Sequence, residues 1–278
     1  AEEGGGGKVL MLERGAFDGL HAAMMVHPAA YEQPLMPCLA VQHFEVRYRG
    51  KSAHASAFPE QGINAADALT VAQVAIGLLR QHIGSNDRIH GIVTDGGDAP
   101  NIVPERTAGQ WYARAATLAE LAELYPRVQR CFEAGALATG ADVAFDEPGP
   151  AYSEFDHDAD LVARYAENAQ ALGRTFDDLG AQGDRIAGST DMANVSLVMP
   201  TIHPMLSIDS LPAVNHQPEF TAATLRAPAQ RAMLDGAKAM AATAIDAATD
   251  DELRTRLLDL DFRAEGTTFP WQEHGLTG

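Results

Sequence analysis

Residues 39–50, LAVQHFEVRYRG, set Phe44, Val46 and Tyr48 at every second position before Gly50. That alternation predicts a half-buried strand ended by the glycine. The next stretch, NAADALTVAQVAIGLLRQHIG, carries Leu69, Ala72, Val74, Ile76, Leu79 and Ile83 at helical spacing and stops at Gly84; a helix over 64–82 follows. Two short strands are predicted near 88–94 and 108–115, separated by DGGDAPNIVPERT. A second helix opens on a capping box, Thr117-x-x-Glu120, in which each side chain satisfies a free backbone donor, and runs to about Gly140. ADVAFDEP then closes as a strand. The order strand, helix, strand, strand, helix, strand is the split βαβ arrangement, a four-stranded antiparallel sheet with two helices on one side.

The flanking segments do not make a second complete domain. Residues 1–36 predict a tight turn, a short helix and the strand AAMMVHP; residues 157–278 predict a helix over 159–173, the loop GSTD, the strand TIHPMLSI and a long Ala-rich helix over about 221–248. AAMMVHP is apolar throughout its first five residues, as in a parallel sheet covered by helices on both faces. The fold class expected is therefore α/β, with residues 1–38 and 151–278 forming part of a larger domain, incomplete at its N-terminus, and 39–150 inserted into it.

Charge narrows the partners. A formal net charge of −18 disfavours nucleic acid backbones and anionic membranes, which both need a basic face. No run approaches the roughly 18 apolar residues of a membrane span, and the sequence carries no basic-then-apolar leader. The two cysteines, Cys38 and Cys131, stand in apolar surroundings, so a reducing, cytoplasmic setting is expected.

Chemistry can come from few places. The glycine run 4–7 resembles a phosphate loop only superficially, because Gly7-Lys8 is followed by Val9 rather than Ser or Thr. Glu2 and Glu3 precede that turn, and two adjacent acids there can divide the work of metal ligand and proton acceptor. His27 ends an apolar strand, and His216 sits in the Pro-bounded loop LPAVNHQPEF. Imidazole and carboxylate from separate strand ends suit a catalytic zinc or manganese site.

The motifs AEEGGGG, VHP, GKSAHAS followed by GINAADAL, GGDAPNIVPE, GSTDMANVS and VNHQPEF, in this order, resemble those of the two-metal amidohydrolases and carboxypeptidases. That family includes aminoacylases, hippurate hydrolases and p-aminobenzoyl-glutamate hydrolases. GSTDMANVS and MMVHPA are most similar to the branch of p-aminobenzoyl-glutamate hydrolases and aminoacylase-like dipeptidases. The resemblance implies a ferredoxin-like (βαββαβ) lid that also makes a homodimer, two divalent metal ions (Zn or Mn), and hydrolysis of the amide bond in N-acyl or N-aroyl amino acids or small dipeptides. It makes residues 1–38 and 151–278 a catalytic domain, Glu2 the general base acting on a metal-bound water, Glu3 a ligand of one metal, His27 (24 residues after it) the next ligand, and His216 a ligand of the other metal. His54 becomes the donor that crosses the dimer to the oxyanion, Asn101 a lid residue holding substrate, and Gly188, Ser189 and Thr190 the holders of its carboxylate. Relatives supply further ligands, including a metal-bridging group, from a stretch upstream of the acidic pair, and nothing of that type precedes Ala1. The chain by itself is thus expected to bind metal weakly and turn over nothing. A noncatalytic dimerisation or small-ligand-binding fragment is the alternative reading.

Overall fold

The computed structural model describes residues 5–180 and 187–277. Its elements run α1 (Gly7–Glu13), β1 (Ala23–Met24), β2 (His27–Ala29), β3 (Ala40–Arg49), α2 (Ala65–Leu79), β4 (Arg88–Asp95), β5 (Arg106–Ala115), α3 (Leu118–Thr139) and β6 (Asp142–Asp146). They continue with α4 (Ala159–Ala171), α5 (Met192–Ser196), β7 (Thr201–Ile202), β8 (Met205–Ser207), α6 (Pro218–Ala223), α7 (Ala227–Thr249), α8 (Asp251–Leu258) and α9 (Pro270–Glu273). The chain divides into two compact units. One comprises Ala1–Gly6, Leu39–Glu154 and Thr268–Gly278; the other comprises Gly7–Cys38 and Phe155–Thr267.

In the first unit an antiparallel sheet runs in the order β4-β5-β3-β6. The alternation along β3 buries Phe44, Val46 and Tyr48, and Phe44 meets Tyr125 and Phe132 of α3 edge to face. The Tyr48 hydroxyl donates to the Phe132 carbonyl at 2.8 Å, so the one polar atom of that buried side chain is satisfied. Helix α2 starts where Asn64 accepts from the Ala66 and Asp67 amides. It buries Leu69, Ala72 and Ile76 but leaves Val74 60% exposed, off the apolar face to which its spacing assigned it. The capping box at α3 is displaced by one residue: Thr117 accepts from the Glu120 amide, while the Glu120 carboxylate accepts from Ala116.

Helices α2 and α3 approach most closely at Gly135, where an added Cβ would lie 2.2 Å from the Ala68 carbonyl oxygen. Gly135→Ala gains up to about 1 kcal/mol of helix propensity, yet the contact is with rigid backbone, and overpacking of this kind costs about 1–3 kcal/mol. A net loss of about 1–2 kcal/mol in chemical denaturation is the expected outcome; a stabilised variant would show that the helices separate at no cost.

The second unit pairs short parallel strands, β1 with β7 and β2 with β8. Each of the two apolar strands anticipated from sequence is interrupted. TIHPMLSI breaks at His203-Pro204, where Pro204 has no amide to donate but its carbonyl accepts from His27 at 2.9 Å. Ala23 and Met24 are half-buried rather than covered on both faces. Among the described residues β1 and β2 find strand partners on one side only. The single long helix anticipated over 221–248 is two, α6 and α7, separated at 224–226; Pro228 occupies the first turn of α7, the helical position where a missing amide costs nothing. Leu161, Tyr165, Ile202, Ala239, Leu253 and Leu257 form one apolar cluster, and Leu206, Ile208, Phe220 and Ala232 contribute to another. Between them they fix β7 and β8 against α4, α6 and α7.

Candidate active site

The end of β2 concentrates the imidazoles. His27 begins the strand, and its Nδ1 lies 2.8 Å from the Pro28 carbonyl oxygen. A carbonyl can only accept, so Nδ1 carries the proton and Nε2 keeps an open lone pair, the form of histidine that binds a metal. The same carbonyl accepts from the Asn215 side-chain amide at 3.0 Å. His216 follows, exposed and in left-handed backbone at φ 69°. Pro28 thus brings the His27 strand end and the His216 loop together. Among the described residues no group of three or more His, Cys, Asp or Glu is arranged to hold a metal. Glu2 and Glu3 lie outside the described residues.

Behind His27 stands a residue that the motifs do not reveal. His203 is fully buried at the break between β7 and β8, its ring 5.7 Å from that of His27 and tilted by 59°. Burial, followed by His27, His157 and Lys8 nearby, pushes its pKa down to about 3, so the ring is neutral. Neither ring nitrogen has a hydrogen-bond partner among the described residues. Phe155 lies 6.0 Å away and stacks at 3.9 Å on His157, whose Nε2 donates to the Met36 carbonyl at 3.0 Å. Burial lowers the pKa of His157 as well. A signal was available: VHP and IHP are the same His-Pro pair, one opening β2 and the other standing just before β8, its parallel partner.

The GSTD loop is tied inward. Asp191, fully buried, accepts from the Lys8 backbone amide at 2.8 Å and pairs with the Lys8 ammonium at 2.6 Å. One carboxylate therefore both caps the first turn of α1 and neutralises a lysine on it. The Gly188 amide donates to Pro37 at 3.1 Å, and the buried Thr190 hydroxyl accepts from the Met192 amide at 3.3 Å. The resemblance assigns both groups to the substrate's carboxylate; in the structure each carries one bond that attaches the loop. Ser189, half-buried, is the third residue of that set.

In the first unit His54 and Asn101 come together. His54 bridges to Ile102, and the Ala55 amide donates to the Asn101 carbonyl at 3.0 Å. The His54 Nδ1 accepts from the Ala57 amide at 3.2 Å, with the Ser56 amide and hydroxyl at 3.4 and 3.3 Å. With Nδ1 accepting, the proton of the neutral ring sits on Nε2, and the side chain is exposed. A loop-anchored imidazole with an outward donor can stabilise developing negative charge.

The proteins to which the chain is similar are named as dipeptidases and hydrolases of amide bonds. The chain is 39% identical over 246 residues to the Xaa-Arg dipeptidase of Mus musculus, covering 88% of this chain and 57% of that protein. To one of the subunits of p-aminobenzoyl-glutamate hydrolase from Escherichia coli (strain K12) it is 34% identical over 177 residues, covering 62% of this chain and 35% of that protein. Among solved structures, the aminobenzoyl-glutamate utilization protein from Klebsiella pneumoniae superimposes with a TM-score of 0.56 at 20% identity, over 78% of this chain and 54% of that one. No family model matches the chain. The chain belongs to the family its motifs resemble, that of the aminoacylase-like dipeptidases and p-aminobenzoyl-glutamate hydrolases. It spans less than three fifths of the length of the dipeptidase.

Proposed function

We propose that the whole protein is a metal-dependent hydrolase of the amide bond in small dipeptides or N-acyl and N-aroyl amino acids, with residues 39–150 as its lid. The observation that carries this reading is the fixed Nδ1–H tautomer of His27, which leaves Nε2 open at a strand end shared with the His216 loop. Glu3, His27 and His216 would contribute to holding two divalent ions, zinc or manganese, with Glu3 on one and His216 on the other. Such an ion supplies Lewis acidity, polarising the scissile carbonyl and lowering the pKa of water. Glu2 takes the proton of the attacking water and returns it to the leaving amine. His54 donates from Nε2 to the oxyanion, and Asn101, Gly188, Ser189 and Thr190 hold the substrate. The name of the dipeptidase relative favours a dipeptide ending in arginine, and a chain of net charge −18 attracts such a cation at long range. Elemental analysis of the whole protein, with assays on Xaa-Arg dipeptides and on p-aminobenzoyl-glutamate, tests the reading. A metal-free protein inert toward both would overturn it.

A dimer formed through the lid needs an edge strand, and β3 is internal, flanked by β5 and β6. The edges are β4 and β6; β4 exposes Ile92 and Val93, and Val74 and Leu78 are exposed on α2; an edge strand such as β4 pairs readily with its mate. If His54 serves the partner's centre, mixing Glu2→Gln with His54→Ala protein restores activity. Random exchange puts up to about half of the chains in mixed dimers with one competent site of two, so recovery approaches about a quarter of wild type. A mixture that stays inactive after proven subunit exchange would confine His54 to its own subunit or remove it from catalysis.

A further inference from the structure

His203 has no role in the chemistry proposed so far, yet it occupies an expensive place. Its neighbours along the chain, Ile202, Met205 and Leu206, are buried and apolar, and packing alone would be served by leucine or phenylalanine. A neutral imidazole carries one N–H and one lone pair, and an interior position that leaves both unmet is rare in folded proteins and calls for an explanation.

The groups around it do not supply one. His27 already gives its Nδ1 proton to Pro28, His157 uses Nε2 on Met36, and Phe155 offers only a ring face. Lys8 directs its ammonium to Asp191. His27 pairs in register with Met205, two residues beyond His203, so the two rings issue from adjacent strands at the same end of the parallel pair.

We propose that His203 is a positioning residue of the hydrolytic centre, which from behind His27 hydrogen-bonds an oxygen ligand, water or carboxylate, held at the same metal as His27. This rests on the metal-dependent reading proposed above. Groups that orient a metal's ligands in this way are typically worth 10- to 100-fold in metal affinity.

The test uses the whole protein in three forms, wild type, His203→Phe and His203→Gln, titrated with zinc and with manganese against a chromophoric chelator. Thermal unfolding of the metal-free proteins is measured in parallel. His203→Phe keeps the ring volume and removes both nitrogens; His203→Gln restores one donor and one acceptor. The expected result is a metal-free Phe variant that melts no lower than wild type, binds the same number of ions at saturation, and holds them 10- to 100-fold more weakly, with the Gln variant in between. Unchanged affinity in both variants would reduce His203 to packing and overturn the proposal. Loss of a whole equivalent of metal at saturation would make His203 a ligand and overturn it equally. Should the Phe variant not fold, the affinity of the Gln variant decides alone. A wild-type protein that binds neither metal would bring down the metal-dependent reading first and this role with it, an outcome distinct from wild-type binding that the variants leave unaltered.

Discussion

Glu2→Gln in the whole protein is expected to keep its metal and lose turnover by about 10²- to 10⁴-fold, the usual contribution of a positioned general base. Glutamine preserves the size and hydrogen-bonding outline of the side chain but cannot accept the proton of the attacking water. The substitution therefore removes an interaction made only on the way to the transition state, and kcat and kcat/KM should fall together while KM holds. Glu3→Gln is the control: as a ligand it should lower metal content, and activity should recover in part with excess metal. The helix that follows the acidic pair is anchored where Asp191 caps Lys8, so neither substitution disturbs the backbone of α1. Metal content by elemental analysis beside steady-state kinetics separates the two. If Glu2→Gln loses metal and Glu3→Gln does not, the roles of the two acids are interchanged.

Local chemistry explains which parts of the fold were legible from the sequence. The strand β3, the cap at Thr117 and the stop at Gly140 are written in residues a few positions apart, and the structure places them where alternation, capping and a left-handed glycine put them. What the pattern could not show depends on the rest of the chain. Val74 fits the apolar spacing of α2 as well as Ile76 does, but which face is covered is decided by α3. The break at His203-Pro204 reflects pairing with a strand nearly 180 residues earlier, and the pair Lys8–Asp191 spans 183 positions. Of the site, the motifs indicated His27, His54, Asn101 and His216. Only the folded chain defines the tautomers of His27 and His54, since these depend on Pro28 and on the amides of Ser56 and Ala57. His203 escaped because a histidine inside an apolar run reads as part of a strand.

The largest effect on stability is expected at Arg174, just past α4. Its guanidinium grips the carboxylate of Glu32 with two nitrogens, Nε at 2.8 Å and Nη2 closer still, and Nη2 also donates to the Ser207 carbonyl at 2.8 Å. Asp235 on α7 adds a looser contact at 3.4 Å. Glu32 is buried and also accepts from the Ser207 amide at 2.7 Å, so this one network ties the turn after β2 to the end of β8. The segment it holds leads directly out of the His27 strand. Arg174→Met leaves the Glu32 carboxylate buried without its cation, and breaking a buried pair in this way costs about 3–5 kcal/mol. That is a large share of the roughly 5–15 kcal/mol by which domains are stable. The double variant Glu32→Gln with Arg174→Met should regain much of the loss, because no charge is then stranded and the amide still meets Ser207. Arg174→Lys should fall between, since a single ammonium cannot reproduce the two-nitrogen grip. Urea denaturation of wild type, Glu32→Gln, Arg174→Met and the double variant, read as a double-mutant cycle, measures the coupling. A loss under about 1 kcal/mol for Arg174→Met would show that water reaches Glu32 and that the network does not hold the His27 strand in place.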